Sequence, residues 1–152
     1  MEDIYIGTPN AKQDEFLRCK KKYVAFGGAR GGGKSWAVRC KAKLLAQRYP
    51  GIRMLLVRRT MPEIEANHLE TLRLELAGTA VYRAEERRFV FGNGSVLQFG
   101  YCACDRDADR YQGAEYDVIF FDEATQLKEQ WMRKLAACVR GVNEFPKRIY
   151  YT

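Results

Sequence analysis

Tyr23-Val24-Ala25-Phe26-Gly27-Gly28-Ala29-Arg30-Gly31-Gly32-Gly33-Lys34-Ser35 is the stretch on which the reading of the fold turns. The apolar run Tyr23 to Phe26 suits a short strand. The residues from Gly28 to Ser35 fit G-x-x-x-x-G-K-[ST], and a helical pattern follows them. Strand, glycine-rich loop and helix in that order are the context of a phosphate-binding loop. Glycines let the backbone turn inward, so that its N–H groups surround phosphates where a helix begins and its dipole favours an anion. Gly28, Ala29, Arg30, Gly31, Gly32, Gly33, Lys34 and Ser35 are therefore expected to line a nucleotide's phosphates. Lys34 is expected to reach the β- and γ-phosphates, and the Ser35 hydroxyl to sit on magnesium. A merely flexible turn has no reason to end in Lys-Ser before a helix.

Val118-Ile119-Phe120-Phe121-Asp122-Glu123 supplies the complementary half. Four apolar residues before two carboxylates read as a buried parallel strand that delivers acid at its C-terminal end, where open α/β sheets bind ligands. Alone this is a weak signal, because surface carboxylates often follow strands. Downstream of a phosphate loop it completes one site in the expected order. Asp122 would hold the magnesium, through water or directly, and Glu123 would polarise the attacking water. ATP with Mg2+ is the pair of ligands these segments imply, and ATP hydrolysis is the leading activity.

A chain of 152 residues has room for one domain with a real core. Its 47% hydrophobic and 12% aromatic content excludes a disordered chain. Lys and Arg total 26 against 19 Asp and Glu, and the net charge of +7 suits either a polyanionic partner or a solvated basic surface that also binds ATP. No apolar run has membrane-spanning length and no signal-peptide pattern opens the chain, so the cytoplasm is the expected compartment and no membrane partner is expected. Five cysteines, Cys19, Cys40, Cys102, Cys104 and Cys138, without C-x-x-C pairs, indicate neither a disulfide framework nor zinc. The single histidine, His68, lies in a helical stretch and reads as a helix-surface or boundary residue.

The remaining segments alternate. Asn10 and Gln13 have the spacing of a helix cap ahead of Phe16 and Leu17. The helix after the glycine loop runs to about Arg48, with Trp36, Cys40 and Leu44 on one stripe, and Met54 to Val57 form the next strand. Thr60 and Glu63 have capping-box spacing, and Ile64, Leu69, Leu72 and Leu76 make an apolar stripe. Phe89-Val90-Phe91 and Val96 to Phe99 read as a hairpin, because Asn93-Gly94 accepts the positive φ of a tight turn. A last helix carries Leu127, Trp131, Leu135 and Val139 up to Gly141, and Arg148 to Tyr151 begin a final strand. The fold expected is α/β: a mostly parallel sheet with helices on both faces, a P-loop nucleotide hydrolase of the motor type with its catalytic Glu beside the magnesium Asp, and an inserted β-hairpin.

With these pieces assembled, residues 1–152 resemble the N-terminal ATPase domain of large terminase subunits, the motors that pump DNA into tailed-phage capsids. The resemblance rests on Gly27 to Ser35 with Arg30 inside the loop, Leu56-Val57-Arg58-Arg59-Thr60-Met61-Pro62, Asn93-Gly94-Ser95, and Arg110-Tyr111-Gln112-Gly113 before Tyr116-Asp117 and the acidic strand. It implies that Gln13, four residues after Pro9, recognises adenine. It also implies double-stranded DNA as partner, a ring of subunits in the full-length parent, and a portal and small terminase subunit, in the bacterial host cell of a phage or prophage. Family members continue into a coupling motif and a nuclease domain. This chain stops at Thr152, so it is expected to be an ATPase domain incomplete at its C-terminus and lacking the nuclease. The alternatives are another DNA-dependent motor, helicase- or recombinase-like, and a remnant that binds nucleotide without turnover.

Arginines make the final group. Arg30 is expected to sense the γ-phosphate in its own subunit. Arg110 would either reach a neighbouring subunit or pair locally with Asp107 or Asp109. Arg58 and Arg59 end a strand at the ligand edge and could meet phosphate or DNA, whereas Lys20-Lys21-Lys22 reads as a solvated run.

Overall fold

The computed structural model describes residues 6–27 and 33–152. The chain opens on α1 (Ala11–Arg18), whose N-cap is built as its sequence requires. The Asn10 side chain accepts the Gln13 backbone N–H at 2.8 Å, and the Gln13 side chain accepts that of Asn10 at 2.9 Å. Then follow β1 (Tyr23–Ala25), α2 (Lys34–Arg48) and β2 (Arg53–Arg58). The helix read from Thr60 onward is interrupted: α3 (Met61–Ile64) and α4 (Glu70–Glu75) are joined by a π-helical turn, Glu65–Leu69.

Three antiparallel-linked strands come next, β3 (Ala80–Arg83), β4 (Arg88–Phe91) and β5 (Val96–Tyr101), then α5 (Asp105–Asp109), β6 (Val118–Phe121), α6 (Glu129–Ala136) and β7 (Arg148–Tyr151). The order across the sheet is β1-β7-β6-β2-β5-β4-β3. The five strands from β1 to β5 in that order run parallel, and β4 and β3 extend them antiparallel. The acidic strand β6 is thus separated from the strand feeding the glycine loop by β7.

Alternation along the central strands sorts the core into two layers. Leu56, Phe120 and Tyr150, in register, pack with Phe16, Val38 and Leu72 from α1, α2 and α4. Leu55, Ile119 and Ile149 face the other way, onto Ala108, Trp131 and Leu135 of α5 and α6. Because helices cover both faces, β6 has no polar side at all, which is why it reads as an unbroken apolar run.

Three local expectations are corrected. The last helix ends at Ala136, and Val139 instead forms an isolated parallel bridge with Tyr116. In the hairpin only Gly94 takes a positive φ, +87°, while Asn93 stays at negative φ. Its side chain serves elsewhere: Asn93 Nδ2 donates to the Ala46 carbonyl at 2.8 Å, and Ser95 Oγ donates to the same carbonyl at 2.9 Å. Asn93-Gly94-Ser95 therefore staples the hairpin to the end of α2. Third, α2 buries more than one stripe, including Lys41 and Lys43; Lys43 is ion-paired with Glu75 of α4.

Lys41 is 4% exposed, and its Nζ donates to the carbonyls of Leu17 and Cys19. Burial, then repulsion from Arg148, lowers its pKa from 10.5 to about 8. Below about 8 the lysine is charged in both states and the burial cost is present in full. Between about 8 and 10.5 the unfolded chain binds a proton that the folded chain does not, so stability rises with pH. The slope approaches about 1.4 kcal/mol per pH unit. Lys41→Met should flatten this rise in urea unfolding curves taken between about pH 7 and pH 10, and parallel curves for the two proteins would exclude the effect.

Candidate nucleotide site at the C-terminal edge of the sheet

All five parallel strands end at one edge, and their last residues are the candidate site: β1 leads into Gly27, β2 ends at Arg58, β6 delivers Asp122 and Glu123, and β7 delivers Thr152. Lys34 and Ser35 open α2 at the same edge, because α2 follows the loop that leaves β1. Gly28, Ala29, Arg30, Gly31 and Gly32 lie outside the described residues. Gly33, the residue before α2, has φ +75°, a left-handed conformation that glycine adopts without a Cβ penalty. A Cβ there would also run into the Gln13 amide. Gln13 Nε2 donates to the Gly33 carbonyl at 3.2 Å, so the glutamine lies against the end of the glycine loop while also capping α1.

Asp122 is 2% exposed, and three side chains from other elements converge on it. His68 Nε2 lies 2.7 Å from Oδ2, the Thr152 hydroxyl donates to Oδ1 at 2.9 Å, and Arg58 Nη1 stands 3.7 Å from Oδ2. Burial on its own would raise the carboxyl's pKa. The His68 and Thr152 hydrogen bonds and the Arg58 charge outweigh it, and Asp122 is held below the ordinary carboxylate range. His68, completely buried, is itself pushed below its ordinary value by that burial despite the hydrogen bond to Asp122. The outcome is a buried carboxylate, held low and oriented, beside a buried imidazole. Among the described residues no group of three or more His, Cys, Asp and Glu side chains is arranged to hold a metal. Asp122 and the Ser35 hydroxyl, at one sheet edge, are oxygen donors of the kind magnesium takes, one or two from the protein with phosphate and water filling the rest of its shell.

Glu123 has φ +53° and ψ +50°, a left-handed conformation rare for a residue with a side chain. Neighbouring hydrogen bonds impose it. Asp122 N–H donates to the Val57 carbonyl at 3.0 Å, and Ala124 N–H to the Thr152 carbonyl at 2.9 Å, so the chain is pinned on both sides of the turn. Holding such a conformation costs on the order of 1–3 kcal/mol, and strain of this kind concentrates where a side chain must be aimed. Glu123 itself is half-buried.

Arg110 sits after α5 with its side chain 59% exposed; Nη1 donates to the Tyr101 hydroxyl at 2.9 Å and lies 3.7 Å from Asp107. Asp109 is engaged by Lys134 instead. Arg58 is buried and its Nε has no hydrogen-bond partner among the described residues, whereas Arg59 is exposed. Lys20, Lys21 and Lys22 are exposed, as a solvated run should be. Asp117 belongs to the opposite edge, where its carboxylate accepts the Arg53 backbone N–H and the Lys147 ammonium.

The reading of His68 as a surface or boundary residue is wrong. His68 stands four residues from both Ile64 and Leu72 on the buried stripe, and the π-helical turn carries it to Asp122. That spacing was the available signal, and a lone polar residue on an apolar stripe hides it. Arg58, expected at the ligand edge to meet phosphate or DNA, is placed against Asp122, and Thr152 carried no signal of its own, because both reach Asp122 only through strand order.

The fold is shared with solved large terminases. The large terminase of a thermophilic bacteriophage is similar over 93% of this chain and 38% of its own, with TM-score 0.72 and 15% identity. Structures of that terminase with ADP and with ATP-γ-S match as well. The HK97 bacteriophage large terminase matches over 96% of this chain and 33% of its own, at TM-score 0.71 and 12% identity. A Thermus phage large terminase ATPase domain matches over 95% and 65%, at 0.68 and 20%. The chain thus spans about a third to two thirds of the length of these proteins. No curated sequence matches it. A family model described as "Terminase large subunit, T4likevirus-type, N-terminal" covers residues 25–148, which takes in every strand from β2 to β6, both carboxylates and the Lys34-Ser35 pair, and by that match the chain belongs to the terminase large subunit family.

Proposed function

We propose that this chain binds ATP with magnesium and hydrolyses it, as the motor portion of the machinery that packages double-stranded DNA into a tailed-phage capsid. The observation that carries the reading is the buried, ionised Asp122 followed by the left-handed Glu123, at the same sheet edge as Lys34 and Ser35. The thermophilic phage's terminase, solved with ADP and ATP-γ-S, supports nucleotide as the ligand class. Asp122, through water or directly, and the Ser35 hydroxyl would hold the magnesium. When bound, that ion would neutralise charge on the phosphates. Lys34 would meet the β- and γ-phosphates, and Arg30 would sense the γ-phosphate. Glu123 would accept a hydrogen bond from the attacking water and draw its proton away as the oxygen closes on phosphorus. Gln13 keeps a second amide hydrogen and a second carbonyl lone pair for adenine beyond its bonds to Gly33 and Asn10.

The net charge of +7 favours DNA as the polyanion. A ring of subunits, a portal and a small terminase subunit are the partners that family membership suggests for the full-length parent, and the host cytoplasm is the matching compartment. Among the described residues no helix is long and apolar enough to cross a membrane. The test is an ATP titration with magnesium, followed by phosphate release with and without double-stranded DNA. Binding with turnover supports the reading. Binding with none would reduce the chain to a nucleotide-binding module, and no binding would overturn it.

A further inference from the structure

The geometry points to His68 as a positioning residue for the magnesium carboxylate: from the π-helical turn it fixes Asp122 in the orientation that metal binding requires. This rests on the nucleotide-site reading above and extends it to a residue outside the phosphate loop and the acidic strand. Three observations support it.

The imidazole is completely buried, and its Nε2 makes the shortest of the side-chain contacts to Asp122, 2.7 Å. Its tautomer is set from behind. Arg39 Nη1 stands 3.5 Å from Nδ1 while donating to the Asn67 carbonyl at 2.7 Å. A guanidinium only donates and an ionised carboxylate only accepts, so both neighbours favour a hydrogen on Nε2 directed at Asp122. Finally, α3 and α4 would form one regular helix but for the π-helical turn, in which the Glu70 N–H reaches back to the Glu65 carbonyl. Such turns are rare and mark functional positions.

With Thr152 on Oδ1 and His68 on Oδ2, both carboxylate oxygens are fixed, by donors from two different elements. Arg39 lies on α2, the helix that Lys34 and Ser35 open, so Arg39–His68–Asp122 is also a physical connection from the phosphate-binding helix to the metal carboxylate. A core histidine present only for packing would make the same contacts, so the test reads metal coupling rather than stability.

The probe is ADP, titrated against the 152-residue chain in Mn2+ and again in EDTA. The ratio of the two affinities measures how much the metal adds. His68→Phe should cut that ratio by about 10–100-fold, the usual effect of losing an outer-shell partner. Its affinity in EDTA should match the parent's. His68→Gln, which can offer an amide N–H in place of Nε2–H, should restore most of the ratio. Asp122→Asn should abolish the gain. If His68→Phe keeps the parental ratio, or loses affinity equally in Mn2+ and EDTA, His68 is structural and the inference falls. If His68→Phe does not fold, Arg39→Met decides, since it removes the donor to Nδ1 from a half-exposed position: a reduced ratio supports the relay and an unchanged one overturns it. A parent that gains nothing from Mn2+ would instead bring down the nucleotide-site reading itself.

Discussion

Lys34→Ala should abolish ATP binding, and Glu123→Gln should leave binding nearly intact while stopping turnover. The two effects are expected to differ because in the proposed site the residues meet different charges. Lys34 begins α2 after the left-handed Gly33, where it would meet phosphates that carry charge in the ground state. A unit charge pair near 4 Å at the effective dielectric of a protein surface contributes about 4 kcal/mol, which corresponds to about 10³ in affinity. Glu123 would act on water only as the bond to phosphorus forms. Its amide isostere keeps the left-handed turn between Asp122 and Ala124, which backbone bonds to Val57 and Thr152 impose, and loses only the basic oxygen. General-base removal costs about 10²–10⁴ in rate. ATP titration and phosphate release separate the two variants. A Glu123→Gln protein that hydrolyses ATP at the parental rate would assign the base elsewhere.

If Arg110 acts in trans, the chain alone should bind ATP and hydrolyse it slowly, and its specific activity should rise with protein concentration as subunits meet. An arginine supplied by a neighbour contributes about 10³–10⁵ in rate by neutralising transition-state charge. Arg110 has the exposure for this. Its partners, the Tyr101 hydroxyl at 2.9 Å and Asp107 at 3.7 Å, are local contacts at the surface, of a kind that restrains a side chain weakly. The mixing experiment is decisive, because each defective subunit lacks a different half of a shared site. Arg110→Ala keeps its own Glu123 and receives the arginine of a Glu123→Gln neighbour, so the mixture regains turnover that neither protein has alone. Activity independent of concentration, with no rescue on mixing, would leave Arg110 as the surface partner of Tyr101 and Asp107.

Terminase family membership accounts for the order of the motifs but not for every residue in them. Asn93-Gly94-Ser95 has a structural task, since Asn93 and Ser95 both reach the Ala46 carbonyl and tie the hairpin to the end of α2. Tyr111, in the Arg110-Tyr111-Gln112-Gly113 segment, lies so close over Gly100 that a Cβ there would meet its ring and hydroxyl. Tyr111 is buried deeply enough that its phenol is held well above its ordinary pKa, which keeps it a neutral packing group.

By itself the sequence determined what local physics controls. The Asn10–Gln13 cap, the Thr60–Glu63 capping box, the apolar run of β6 ending in two carboxylates and the glycine loop before α2 each declare an element or an end, because period, capping chemistry and φ preference act within a few residues. The carboxylates and Lys34-Ser35 could be assigned to one site, because parallel strands deliver their C-terminal ends to the same edge. Only the tertiary structure decided what surrounds Asp122. Strand order sets β7 and β2 on either side of β6, which brings Thr152 and Arg58 to the carboxylate, and a π-helical turn brings in His68, the one polar residue on an otherwise apolar stripe with Ile64 and Leu72. These contacts join residues far apart in the chain, and their strength comes from exclusion of water, which no single segment can achieve until the sheet is covered on both faces.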